Sequence, residues 1–309
     1  MNRRDALRLL ATGLAATACG ARLSFAARSD TSATQPLLTR RVPSSGEQLP
    51  TIGLGTWQTF DVPDTPDSLH PLEEVLRTFT ELGGRVVDSS PMYGRSEEVL
   101  GSLSAKLSLR QSLFVATKVW TSGRRAGVEQ MEDSLRKLRS DPIDLMQVHN
   151  LVDADTQLAT LREWKAAGRT RYLGVTHYTS GGQDAIARLI ARESVDFIQI
   201  NYSIVERDAD RRLLPLARDR GVAVIVNRPF AGGSLIRRLR ARPLPEYAAE
   251  IGCTSWAQLL LKFILSHPAV TCAIPATSKV THLRDNLLAA TGPLPDEALR
   301  ARIAAEADA

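Results

Sequence analysis

The sequence predicts an α/β protein folded as a (β/α)8 TIM barrel with an N-terminal hairpin. Three observations lead there. Eight short apolar segments alternate with helix-like segments along the chain, the pattern of repeated βα units. A length of 309 residues suits one such barrel, for which about 250 is typical. The glycine fingerprint of a doubly wound dinucleotide-binding sheet is missing from the start of the pattern. Its nearest approach, Gly53-Leu54-Gly55, is followed by no helix until after Pro63.

The elements follow in order. Residues 1–26 read as a targeting segment: a basic opening with Arg3 and Arg4, a short apolar run over residues 9–18, and a cleavage site at Ser24-Phe25-Ala26. The run falls short of the roughly 20 residues a membrane span needs. The arginine pair points to export by the twin-arginine route and a periplasmic location. Lipid attachment at Cys19 is the competing reading of Ala16-Thr17-Ala18-Cys19. Residues 27–36, rich in Ser, Thr, Ala and Asp, read as a linker, and residues 37–309 as the barrel. A hairpin-like segment is expected within residues 41–57, with strands over residues 51–54, 85–88, 113–117, 143–148, 172–175, 197–200, 222–226 and 272–274. The first helix is marked by Leu72, Val75, Leu76 and Phe79, one apolar face that Gly83-Gly84 ends. Similar faces recur over residues 128–138, 158–167, 185–190, 213–217, 256–265 and 283–288.

Composition excludes several classes. The net charge is +5 and the pI about 9.3, but removing residues 1–26 takes away four arginines against one aspartate and leaves +2. The pairs Arg124-Arg125, Arg211-Arg212 and Arg237-Arg238 are scattered, so no nucleic-acid surface is indicated. Neither Cys253 nor Cys272 has metal-ligand spacing, so no metal site is expected. No Gly-x-Ser-x-Gly elbow supports a nucleophilic serine. Of the carboxylates that might serve a glycosidase, Asp88 ends a strand whereas Asp144 begins one.

Four residues stand at or just past the ends of separate strand units: Asp88 and Tyr93 in Arg-Val-Val-Asp-Ser-Ser-Pro-Met-Tyr-Gly, Lys118 in Leu-Phe-Val-Ala-Thr-Lys, and His149 in Ile-Asp-Leu-Met-Gln-Val-His-Asn. Polar groups at that end of a parallel barrel are catalytic candidates. Together they can donate a proton to a carbonyl. A phenol of pKa about 10 is a weak acid at neutral pH, and a nearby ammonium makes its proton more available. Lys118 supplies that charge, Asp88 maintains it, and His149 orients the carbonyl.

With these motifs in this order, residues 38–290 resemble the aldo-keto reductases, from the hairpin to Ile-Pro-Ala-Thr-Ser. The resemblance implies direct hydride transfer from NADPH to an aldehyde or ketone, with Tyr93 as general acid and NAD as the alternative cofactor. It places Thr176, His177 and Gln199 at the nicotinamide carboxamide, and Gly233 and Ser234 in a loop over the pyrophosphate. Thr277, Ser278 and Lys279 fall toward the 2′-phosphate, and Asn286 falls at the adenine. Two departures stand out: His177 replaces an amide side chain, and Asn227 replaces a tyrosine that stacks on nicotinamide in many relatives. Trp57, Trp120 and Phe230 are expected to line an apolar mouth. A small-molecule carbonyl substrate, no nucleic acid, no transmembrane helix in the mature chain and a monomer complete the expectation. The rival reading is an exported nucleotide-binding sensor or partner subunit with little turnover.

Overall fold

The structure is a computed structural model that describes residues 35–308. The expected targeting segment, Cys19 included, and most of the 27–36 linker lie outside those residues. The chain first forms the expected hairpin, β1 (Thr39–Arg41) against β2 (Gln48–Pro50), antiparallel with Thr39 opposite Pro50. Eight parallel strands follow: β3 (Leu54–Gly55), β4 (Val86–Asp88), β5 (Phe114–Val119), β6 (Ile143–His149), β7 (Thr170–His177), β8 (Phe197–Asn201), β9 (Ala223–Asn227) and β10 (Val270–Ala273). Each pairs with its sequence neighbour from β3 to β10. Parallel bridges Ile52–Ala273 and Gly55–Ala276 join the first strand to the last, so the sheet curls round on itself as a (β/α)8 fold requires. Glycine is needed at this seam: a Cβ on Gly53 would sit 2.7 Å from the Val86 carbonyl oxygen.

All eight strand expectations fall on observed strands. The first is displaced: the bulk of residues 51–54 lies in the irregular seam, and the strand proper is Leu54–Gly55. The strand around residue 172 starts earlier, at Thr170, and runs on to His177.

The helices are α1 (Pro66–Glu81), α2 (Ser96–Lys106), α3 (Arg124–Leu138), α4 (Ala154–Ala166), α5 (Gln183–Arg192), α6 (Leu213–Asp219), α7 (Ser234–Leu239), α8 (Trp256–Leu265), α9 (Val280–Leu288) and α10 (Glu297–Asp308). Thr65 caps α1 by accepting the Ser68 N–H, with Pro66 at the first helical position. Helix α2 carries no strong apolar stripe because its inner face includes Ser96, Glu97, Gly101 and Ser104, all buried. Its fit against α3 depends on Gly101, where a Cβ would lie 2.0 Å from the Lys137 carbonyl oxygen.

Two cores result. The larger lies between strands and helices; the smaller fills the barrel with Phe114, Leu145, Tyr172, Phe197, Ile225 and their neighbours. Strand side chains alternate between these faces with period two. Stepping by two from each barrel-filling residue therefore reaches the other end on the same face: Val86 leads to Asp88, Ala116 to Lys118, Leu145 to Gln147 and His149, Phe197 to Gln199. The barrel is apolar at its base and polar at the carboxyl end of its strands.

The opposite end is tied shut by the hairpin. The Tyr172 hydroxyl donates to Glu47 Oε2 (2.8 Å) and lies 2.7 Å from the Ser45 hydroxyl, from which it can accept. Arg171 pairs with Glu47 at 2.5 Å and with Asp144 at 2.7 Å. Arg40 donates to the carbonyls of Leu265, His267 and Val270 at 2.6 to 2.7 Å. Asp144 also accepts from Arg110 and from the Val115 N–H. It serves this end of the barrel and takes no part with Asp88 in a glycosidase pair.

Candidate active site

Strands β4, β5 and β6 bring the four proton-donating candidates together. Lys118 Nζ is fully buried and donates to Asp88 Oδ2 at 2.7 Å and to the Ser89 carbonyl at 2.7 Å. It lies 5.0 Å from the centroid of the Tyr93 ring. The Tyr93 and His149 rings meet edge to face at 6.1 Å. Ser90 Oγ is 3.1 Å from His149 Nδ1 and accepts the Met92 N–H at 3.4 Å. A Ser90 hydroxyl proton directed at Nδ1 places the imidazole proton on Nε2.

The electrostatics of this group follow from burial. Burial works against the charge of Lys118, but the Asp88 carboxylate, with help from Tyr93, outweighs it and holds the pKa above the ordinary lysine value. His149 is pushed down to about 3, first by burial and then by the Lys118 charge and by His177, so it is neutral at physiological pH. Tyr93 departs from expectation. Burial raises its pKa more than Lys118 lowers it, so the phenol lies above its usual value. The lysine was expected to make the phenol more acidic; in this pocket it only limits the rise, because the same enclosure that removes water also disfavours a phenolate.

The carboxamide candidates join the same network. Gln199 Nε2 donates to Asp88 Oδ1 at 2.7 Å, and the Thr176 hydroxyl donates to Gln199 Oε1 at 3.2 Å. His177 is half-buried, stacked on Tyr178 with centroids 5.9 Å apart, and its Nδ1 faces the N–H and hydroxyl of Thr179 at 3.3 Å each. Gly182 makes room for that ring, since a Cβ there would fall 2.2 Å from His177 Cγ.

The remaining cofactor candidates sit on loops after β9 and β10. Gly233 has φ 84°, and the exposed Ser234 hydroxyl donates to the Ala231 carbonyl at 2.8 Å. Thr277 is buried and accepts the Lys279 N–H at 3.1 Å, while Ser278 and Lys279 are exposed and Asn286 is buried on α9. Of the rim candidates, Trp57 and Trp120 are exposed, with the Trp120 ring 6.2 Å from His149. Phe230 is half-buried and packs on the main core. Met92 and Tyr178 are exposed too. Sequence reading passed over both, although each adjoins a site candidate in the chain.

Some buried polar atoms here have no protein partner: Gln147 Oε1, Asn150 Oδ1, Asn227 Oδ1 and Arg228 Nε. All lie on or just past the carboxyl ends of β6 and β9. Buried groups of this kind call for a partner from outside the chain, and a dinucleotide with its amide, hydroxyl and phosphate groups fits that demand. Among the described residues no cluster of three side chains could hold a metal ion, and no helix is long and apolar enough to cross a membrane. Cys253 and Cys272 are free and buried. Burial raises the Cys253 thiol to about 11.

A parallel barrel with a buried Lys–Asp pair, a tyrosine and a neutral histidine at the carboxyl ends of its strands is the framework of an oxidoreductase acting on carbonyl groups. The chain belongs to the aldo/keto reductase family, whose model matches residues 51–305. It is 28% identical over 257 residues to a methylglyoxal reductase, YeaE, of Escherichia coli K12, covering 80% of this chain and 88% of the relative. It is 25% identical over 294 residues to an NADP-dependent D-sorbitol-6-phosphate dehydrogenase of Malus domestica, covering 82% and 89%. An aldo/keto reductase from Klebsiella pneumoniae, solved with NADP and acetate, superposes with a TM-score of 0.73 at 24% identity, covering 87% of this chain and 94% of that one.

Proposed function

We propose that this chain reduces an aldehyde or ketone to an alcohol with NADPH, and that NADH can substitute. The observation that carries the reading is the Lys118–Asp88 pair, 2.7 Å long and wholly buried, set 5.0 Å from the Tyr93 ring. A buried ion pair is a poor source of stability, so its placement beside a phenol at the strand ends argues for chemistry. It also argues against a sensor without turnover, which has no use for a proton donor.

When bound, the reduced nicotinamide supplies a hydride to the carbonyl carbon. Tyr93, kept protonated by its burial, gives its phenolic proton to the carbonyl oxygen. Lys118 stabilises the phenolate that remains, and Asp88 keeps Lys118 charged. Neutral His149 donates from Nε2 and fixes the direction of the carbonyl. Thr176, His177 and Gln199 would hold the carboxamide, Gly233 and Ser234 the pyrophosphate, Thr277, Ser278 and Lys279 the 2′-phosphate, and Asn286 the adenine.

The decisive experiment is oxidation of NADPH and NADH by purified protein with methylglyoxal, other aldehydes, quinones and sugars. Consumption with at least one carbonyl is expected. Tight cofactor binding without turnover on the whole panel would favour the sensor.

The proposal extends to location: a monomer carried out of the cytoplasm by the twin-arginine route, supported by Arg3-Arg4 and the short apolar run behind them. Replacing both arginines with lysine keeps the charge but loses the guanidinium. The precursor should then stay in the cytoplasmic fraction; normal export would assign the chain to another route.

A further inference from the structure

The loop after β9 holds two cations that the chemistry above does not use. Arg228 directly follows the strand, and its Nε is buried without a hydrogen-bond partner. Its backbone sits in the left-handed region at φ 51°, as does Ala231 at φ 49°. That conformation is disfavoured for residues other than glycine and tends to be retained at functional sites. The guanidinium lies along the loop: a Cβ on Gly232 would be 3.8 Å from Arg228 Nη2. Arg237 lies beside the next residue: a Cβ on Gly233 would be 3.2 Å from Arg237 Nη1. Neither arginine forms an ion pair with any described residue. Two guanidinium groups thus converge on a glycine pair that presents bare backbone, with no carboxylate to balance them.

Each guanidinium lies against one glycine of the pair, and the buried Arg228 Nε is a donor left unmet. An anion on the glycine pair removes that penalty. The guanidinium fork suits a phosphate, which it can grip through two parallel hydrogen bonds. Glycines let such an anion approach the main chain, and successive backbone N–H groups in left-handed turns form a concavity for it.

We infer that Arg228 and Arg237 clamp the diphosphate of the dinucleotide over Gly232–Gly233, with Arg228 the principal contact. This rests on the cofactor reading above and adds two residues to it. The diphosphate is favoured over the 2′-phosphate by position: Arg228 follows Asn227, the end of β9 that the cofactor reading sets at the nicotinamide, whereas Lys279 is the N-cap of α9 on the next loop. An acidic group on the carbonyl substrate is the other source of the same chemistry.

The test is a fluorescence titration of NADPH and NADH on wild type, Arg228→Met, Arg228→Lys and Arg237→Met, with folding followed by circular dichroism. Loss of a charged hydrogen bond predicts that Arg228→Met weakens both cofactors equally, by about 10- to 100-fold. Arg228→Lys should fall between it and wild type, because the charge stays and the fork is lost. Arg237, being exposed, should matter by no more than about fivefold. Inorganic pyrophosphate should compete with NADH on wild type and lose that ability in Arg228→Met. Were Arg228→Met unable to fold, Arg228→Lys and the pyrophosphate competition would still decide. A loss confined to NADPH would overturn the inference in favour of the 2′-phosphate. Unchanged cofactor affinity with a raised KM only for carboxylate-bearing aldehydes would overturn it in favour of the substrate. Failure of the wild type to bind either cofactor would bring down the function proposed above before any variant is read.

Discussion

Gln199 and Asp88 are joined by a hydrogen bond of 2.7 Å, the amide donating to Asp88 Oδ1 while Asp88 Oδ2 holds Lys118. A single carboxylate thereby links the side chain expected to meet the nicotinamide carboxamide with the group that moves the proton. Replacing Gln199 with leucine should reach both. Loss of a neutral hydrogen bond is worth about two- to tenfold and loss of one to a charged carboxylate about 10- to 100-fold, so cofactor affinity should fall by about the first factor and kcat at saturating cofactor by up to the second. Titration and steady-state kinetics separate the two; an effect on affinity alone would leave the Asp88 contact without a part in turnover.

Tyr93→Phe keeps the ring beside Lys118 and removes only the proton. General acid catalysis contributes about 10²- to 10⁴-fold, so carbonyl reduction should drop by at least that range with cofactor affinity unchanged. A drop of less than about tenfold would mean that Tyr93 is not the acid.

Asp88→Asn removes the largest influence that holds Lys118 charged and leaves Tyr93 alone to oppose burial. In the wild type the lysine pKa is raised. Its contribution to stability is complete below the unfolded-state pKa of about 10.4 and is lost as pH rises through the higher folded value. In the variant the lysine pKa falls, and the alkaline limb of the kcat/KM profile should move toward neutral pH. A profile that keeps its shape while losing amplitude would mean that Asp88 positions Lys118 without sustaining its charge.

Acid should destabilise the fold through its buried histidines. His149 is depressed to about 3 and His267 to about 4, in both cases mainly by burial. Between those values and an unfolded pKa near 6.5 the unfolded chain binds more protons than the folded one, so stability falls as pH falls, by up to about 1.4 kcal/mol per pH unit for each histidine. Urea titrations at a series of pH values should show this slope. His149→Gln should flatten it, and an unchanged slope would mean that His149 titrates normally.

Much of the barrel was legible because its strands are short apolar runs and its catalytic side chains lie two residues beyond barrel-filling ones. Lys118 after Ala116 and His149 two steps after Leu145 are on the page as soon as the strands are found. Helix α2 left no clear periodicity because Ser96, Glu97, Gly101 and Ser104 do the packing that larger apolar residues do elsewhere. Glu97 illustrates why: buried, it accepts from Thr117 at 2.5 Å and Ser134 at 3.1 Å. Burial raises its pKa despite those contacts. The direction of the Tyr93 shift was illegible for a related reason, since a lysine can be read from sequence while the water excluded around it cannot. Arg228 was passed over because its isolation is a three-dimensional fact; in the sequence it is one arginine among many.

The hairpin that fastens Tyr172, Arg171 and the carbonyls around residue 267 divides the molecule's tolerance for change. Register and closure are secured at the end of the barrel remote from the reacting carbonyl. The rim residues Trp57, Met92, Trp120 and Tyr178 emerge at the opposite end, on loops that none of those bonds touches. Selection can therefore redraw the rim, and with it the choice of carbonyl, at little expense to the fold. A chain of this design is well placed to diversify into enzymes with different substrates while its proton-donating apparatus stays as it is.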